Sequence, residues 1–260
     1  MKLLSFTLLV FVSCLSVAQV QELDRQRLEA EMFELDKLGS FYFVNENILT
    51  KTDKDLTVIC TYDNFSWGAI SLVDVSDPLR VLVFYKDFNR LIYLDKNFAE
   101  LRDPVLLDDV EFYNVDVLAS SQQGGFWIYD NQSVQAINLT QNLNVNQKGT
   151  NLYALTEGAK MINMQISADF IVLETEFHEI IVLDKFANYY TKIDNLSGAP
   201  ICLDNNILYT LDGSLMSSLN LNTNIKSIID IPISGIKDFE VSGNRIFILS
   251  ENSLITFQIL

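Results

Sequence analysis

The chain has 260 residues, 49% hydrophobic and 20% charged, enough for one large β-domain or two small ones, and that balance argues against wholesale disorder. Its 34 Asp and Glu against 18 Lys and Arg give a formal net charge of −16. Such a surface repels phosphate backbones and anionic headgroups, so nucleic acid is not an expected partner, and the plainest meaning of the acidity is solubility of a secreted protein.

Residues 1–18 read as a signal peptide: Lys2 is a short basic start, residues 3–15 are an apolar core, and Ser16-Val17-Ala18 is a small-x-small cleavage site ahead of Gln19. The apolar run is shorter than the roughly 20 residues a membrane-spanning helix needs. The expectation is therefore export to a periplasmic, outer-envelope or extracellular location. A tether to the membrane would follow only if Cys14 were acylated, and Phe11 is a poor fit to the aliphatic position of a lipobox.

Within residues 19–38, Leu23, Leu28, Met32 and Leu35 recur at near-helical spacing among good helix formers, so a short amphipathic helix is expected over the first half. The second half, residues 31–35, also reads as a strand. From residue 39 onward the pattern changes to short apolar strands cut by polar turns. The plainest hairpin is 81–94, VLVFYKDFNRLIYL, and its design returns at 126–139, 170–183, 207–221 and 246–260, with a weaker copy starting at Ile48. Starting points at 48, 82, 126, 171, 207 and 246 are about 34 to 45 residues apart, the spacing of propeller blades.

Each later hairpin is preceded by another strand and followed by a more polar one. Four antiparallel strands per repeat, the middle pair most apolar, predict an all-β propeller of six four-stranded blades over residues 39–260. The last repeat ends at its third strand, so ring closure calls for a fourth strand from elsewhere. The expected donor lies around residues 31–35.

In architecture the chain resembles six-bladed propellers of the broad NHL and YVTN type over about residues 39–260. Residues 73–88, VDVSDPLRVLVFYKDF, resemble a segment of an uncharacterised group of exported bacterial propeller-like proteins. That resemblance implies a propeller and export but carries over no catalytic or binding residue. The repeats lack the Trp-Asp ending of WD40 blades.

Catalytic chemistry is sparse. His178 is the one histidine, placed in an expected turn between glutamates, where a solvated side chain is the simpler account than a general base. Glycine patterns for a nucleophile elbow, a phosphate loop or a dinucleotide site are absent from the sequence. One histidine and the separated Cys60 and Cys202 cannot supply an ordinary zinc set, and these cysteines are expected as free, buried thiols in blades that do not touch. No cofactor is expected; calcium held by axial oxygens, as in propellers of the lactonase type, stays open because the chain is rich in Asp, Glu and Asn, but it has no Asp-x-Asp-x-Asp-Gly loop, and Asp53-Lys54-Asp55 and Asp108-Asp109 read more simply as exposed turns. Asn64, Asn131, Asn138 and Asn195 each begin an N-glycosylation acceptor pattern.

The best candidates for contact with an external ligand are Trp67 and the turn Tyr85, Lys86, Asp87, Phe88 and Arg90, a basic and aromatic cluster in an acidic chain. The structural alternative for that turn is a solvated hairpin end with a cross-turn ion pair, and Trp127 is expected in the core. The resulting expectation is a non-enzymatic exported propeller that docks a protein partner. The alternatives are a calcium-dependent, lactonase-like hydrolase or lyase with axial carboxylates, and a glycan-binding propeller using Trp67.

Overall fold

A computed structural model describes residues 17–193 and 200–260. Cys14, most of the signal segment and Asn195 lie outside the described residues. The ring has six four-stranded antiparallel blades. Their middle strands are Phe41–Asn45 with Ile48–Thr52, Val81–Tyr85 with Arg90–Leu94, Phe126–Asp130 with Gln135–Leu139, Phe170–Thr175 with Ile180–Asp184, Ile207–Asp212 with Leu215–Asn220, and Arg245–Ser250 with Ser253–Ile259. The expected hairpins are these pairs. In the first blade the pair begins at Phe41, after the Asp36–Ser40 turn, so the copy read from Ile48 is one strand late.

The middle strands are apolar because neighbouring blades bury both of their faces. Val81, Val83 and Tyr85 pack toward blade 1, while Leu82 and Phe84, alternating with them, pack toward blade 3. Six core clusters fill the six blade interfaces. Each fully buried Val, Leu or Phe in them contributes about 1.5–3 kcal/mol of transfer free energy. Fourth strands meet solvent and are correspondingly polar, as in Val145–Lys148, where three of four residues are exposed.

The N-terminal segment supplies the missing strand, but not at the expected place. Val20–Arg27 pairs antiparallel with Ser253–Ile259 and completes blade 6, whereas Met32–Leu35 is the first strand of blade 1. The helix expected over the first half of residues 19–38 is this closing strand. The near-helical recurrence of Leu23 and Leu28 is overridden because the third strand of blade 6 presents a free edge whose backbone groups need partners. Val17–Ala18 runs parallel to Ile228 and Ile229 of blade 5, and Gln19 accepts a backbone hydrogen bond from Leu260 at 2.9 Å.

One turn recurs around the ring and accounts for part of the acidity. In Asp36–Ser40, Asp53–Thr57, Asp95–Ala99 and Asp184–Asn188 the leading carboxylate accepts the backbone N–H groups two and four residues on, at 2.8–2.9 Å. The fourth residue of each is left-handed: Gly39, Leu56, Phe98 and Ala187. Three non-glycine residues hold that conformation because the carboxylate satisfies the turn's N–H groups. The second residue is a lysine each time, Lys37, Lys54, Lys96 and Lys185, and it is free to face solvent. These turns mark the lower face; the hairpin turns between middle strands and the connections between blades form the upper face.

A chain lacking residues 17–27 is expected to expose the edge of Ser253–Ile259, melt roughly 10 °C lower and self-associate. Thermal melts with light scattering check this. A monomer of unchanged melting temperature would show that the ring does not need the strand.

Candidate functional site

The six first strands surround the axis, where a cavity of about 200 Å³ is lined by residues that include Glu34, Asp74, Ser120, Gln165 and Glu240. Sequence reasoning carried axial carboxylates only in an alternative reading and named none of the residues that supply them. Glu34 comes from blade 1, Asp74 from blade 2, Asp204 from blade 5, and Asp238 with Glu240 from blade 6. The available signal was acidic residues inside apolar first strands, MFEL and IKDFEVS.

Glu34, Asp74 and Glu240 line the cavity, and Asp204 and Asp238 lie near enough to Glu240 for their charges to act on it. Burial, and then the Asp238 charge, push Glu240 up to about pH 8. Burial alone takes Asp238 up to about 6, against hydrogen bonds from the Phe239 and Phe33 backbone. Burial with the charges of Glu240, Asp238 and Asp74 holds Glu34 well above the carboxylate range. Asp74 accepts the Ser120 N–H at 2.6 Å, and the Cys202 thiol donates to Glu240 at 3.3 Å. Burial and the neighbouring Glu240 push that thiol well up, so Cys202 is no thiolate nucleophile. Among the described residues no group of three or more His, Cys, Asp or Glu side chains is placed to hold a metal ion.

The predicted aromatic and basic cluster is brought together in part. Residues Phe65–Trp67 form a short 3-10 turn capped by the Asn64 side chain, and Lys86–Phe88 form another on the facing hairpin. Arg90 lies over the Trp67 ring at 5.0 Å, and the Tyr85 ring meets Trp67 edge-on at 5.5 Å. Tyr85 is fully buried, so it supports Trp67 from the core and offers no surface to a ligand. The strand's alternation places it there, facing blade 1 with Val81 and Val83.

The expected cross-turn ion pair is absent among the described residues. Lys86 instead reaches Asp116 at 2.6 Å, and Lys160 reaches the same carboxylate at 3.3 Å. Although burial alone would raise it, hydrogen bonds from Lys86 and Asn131 and the Lys86 charge hold the Asp116 carboxyl below its usual range. Asp116 thereby ties together loops of blades 2, 3 and 4. Asp87 and Phe88 sit beside Gly68, and the Phe88 ring is half exposed.

Five aromatic side chains project from this upper face: Phe65 (68% exposed), Phe88, Tyr113, Tyr153 and Phe177 (69%). They stand on connections and hairpin turns of blades 1 to 4. His178 lies in a hairpin turn with its Nδ1 at 2.9 Å from Glu174, a partner the sequence reading did not single out, and it does not line the axial cavity. Trp127 is buried in the core between blades 3 and 4. Cys60 and Cys202 are free thiols; Cys202 is buried, but Cys60 is only half-buried because it lies on a solvent-facing fourth strand. Of the described acceptor asparagines, Asn138 is buried, Asn64 caps a turn, and Asn131 donates to Asn114 and Asp116.

The raised axial carboxyls fix a sign for stability. The unfolded chain releases these protons at lower pH than the native chain, so their stabilising contribution is complete below the ordinary carboxyl range and is lost as pH rises toward about 8. The protein is expected to lose on the order of 1–3 kcal/mol between pH 5 and pH 8 from this source. Replacing Glu240→Gln should flatten the slope while keeping an acceptor for Cys202. Melting curves across that range check this, and a variant with the wild-type slope would overturn it.

No protein-family model matches the sequence, and no curated protein matches it. Solved structures do resemble it. The virginiamycin B lyase of Staphylococcus aureus is 13% identical with a TM-score of 0.60, over 88% of this chain and 80% of that one. The Pan2 WD40 domain of Neurospora crassa is 13% identical with a TM-score of 0.59, over 88% and 75%. PorZ, described as an essential bacterial surface component of the type-IX secretion system of Porphyromonas gingivalis, is 11% identical with a TM-score of 0.52, over 91% of this chain and 39% of that one. At such identities the likeness shows the fold alone, a β-propeller.

Proposed function

We propose that the protein is a non-enzymatic, exported β-propeller whose upper face docks a protein partner. The carrying observation is the set of five projecting aromatic side chains, three of which, Phe88, Tyr113 and Tyr153, stand on loops that Asp116 ties together. Phe and Tyr held on rigid turns bury large area with little entropy loss, which is how interface anchors work. Residues 1–18 support export, and cleavage after Ala18 would remove the short Val17–Ala18 strand while leaving the closing strand Val20–Arg27 whole.

The structural neighbours include a lyase, so catalysis is the reading to weigh against this. The S. aureus lyase is described as catalytically inactive when one histidine is replaced by alanine. The single histidine here is paired with Glu174 and stands apart from the axial cavity lining, and Cys202 is held as a thiol. Both favour binding over chemistry.

The test is affinity capture of the tagged protein from its native envelope in mild detergent. A stoichiometric partner should be retrieved and should be lost when Phe65→Asp and Phe88→Asp are combined, since each anchor is expected to be worth about 2 kcal/mol. A strictly monomeric protein that retrieves nothing, or a partner indifferent to both changes, would count against docking at this face.

A further inference from the structure

On the lower face the seam between blade 6 and blade 1 opens into a cleft of about 570 Å³, within the range of small-molecule sites. This seam is where the closing strand completes the ring, and its core is small. Among the described residues seven buried apolar side chains fill it, as between blades 4 and 5, against twelve or thirteen at the other four interfaces. The space left over is the cleft, floored by Phe41, Phe247 and Leu254. Leu38, 72% exposed, and Leu23 form apolar lips.

Three cations stand on its rim: Lys37, Lys54 and Arg245. The two lysines occupy the second position of the recurring Asp-led turn, in adjacent copies. Their leading aspartates, Asp36 and Asp53, are engaged by backbone N–H groups, and Asp36 also accepts from Tyr42. Arg245 shares a strand face with Phe247 and Leu249, which pack toward blade 1, so it is directed over the cleft. None of the three takes part in an ion pair or side-chain hydrogen bond among the described residues. In a chain with 18 basic residues against 34 acidic ones, three uncommitted cations around one apolar cleft are unusual company. Three acids line the cleft as well: Asp36, engaged by its turn and Tyr42, Asp24, which accepts from Gln26 and from the Arg25 backbone, and exposed Asp55.

We infer that this seam cleft binds an amphipathic organic anion, a compound with an apolar chain and a single carboxylate or sulfonate. The chain would lie on Phe41, Phe247 and Leu254, and the anionic head would meet Lys37, Lys54 and Arg245. A neutral ligand would leave the cations unpaired, and a small inorganic anion would leave the apolar floor wet; the amphiphile satisfies both. This site is independent of docking on the upper face.

The test is calorimetric titration of the purified protein with decanoate below its micelle-forming concentration, with decanol as the neutral probe. Saturable binding of one decanoate per chain is expected, with decanol at least about tenfold weaker. Combining Lys54→Glu with Arg245→Glu, both exposed, should weaken decanoate about tenfold or more while the melting temperature stays near wild type. Combining Lys96→Glu with Lys185→Glu makes the same change in net charge at the equivalent turn positions elsewhere and should leave binding intact. Absence of saturable binding, equal affinity for decanol, or equal losses in the two double variants would overturn the assignment.

Discussion

The pairing of Val20–Arg27 with Ser253–Ile259 is the contact on which the other blades depend. A propeller blade cannot bury its middle strands alone, because each of their faces needs a neighbour. Closing the ring gives every blade two neighbours, and it leaves no blade to end on an unpaired third strand. The closure is made by hydrogen bonding along a polar strand more than by apolar packing: five successive residues of it, Gln21 to Arg25, are exposed. Its register is set by the edge it completes, and one irregularity between Glu22 and Asp24 absorbs the mismatch.

That division explains which parts of the fold the sequence discloses. Middle strands such as Val81–Tyr85 are buried on both faces, so they appear as continuous apolar runs whatever their neighbours are. A fourth strand faces solvent and has no such signature. Val20–Arg27, with its Glu, Gln and Arg, therefore looks like a helix in isolation, and only the free edge 230 residues away makes it a strand. The site follows the same logic. Lys86, Phe88 and Arg90 were legible as a cluster because they share one turn in sequence; Trp67 was named on its own, and the fold brings its ring under Arg90. Tyr85 belongs to the same stretch yet points into the core, since it is the last residue of a strand buried on both faces and the turn begins only at Lys86. The axial carboxylates escaped because they come from four blades, and nothing local relates Glu34 to Glu240.

The acidity also separates into distinct physical roles. Some aspartates are turn acceptors on the lower face, where their charge is taken up by backbone N–H groups and the lysine beside each is left available. At the axis, burial and the neighbouring carboxylates favour the protonated form of Glu34 and Glu240 near neutral pH, so formal charge overstates the field there. Asp116 is a third kind, ionised and bracing three blades through Lys86 and Lys160. A single net charge of −16 averages over all of these and describes none of them.

The two faces consequently differ in what they present. The upper face combines projecting rings with loops stiffened by a shared carboxylate, which suits a broad macromolecular contact that loses little freedom on binding. The lower face repeats one turn, and the repetition matters only where two copies flank an imperfectly filled interface. Turns led by Asp95 and Asp184 put their lysines away from this seam: Lys96 is exposed, and Lys185 lies over the Phe186 ring at 5.4 Å. Turns led by Asp36 and Asp53 put theirs beside the closure seam, where the ring is joined and the core is thin. The geometry that closes the propeller with a polar strand is thus the same geometry that leaves an apolar hollow beneath a cationic rim.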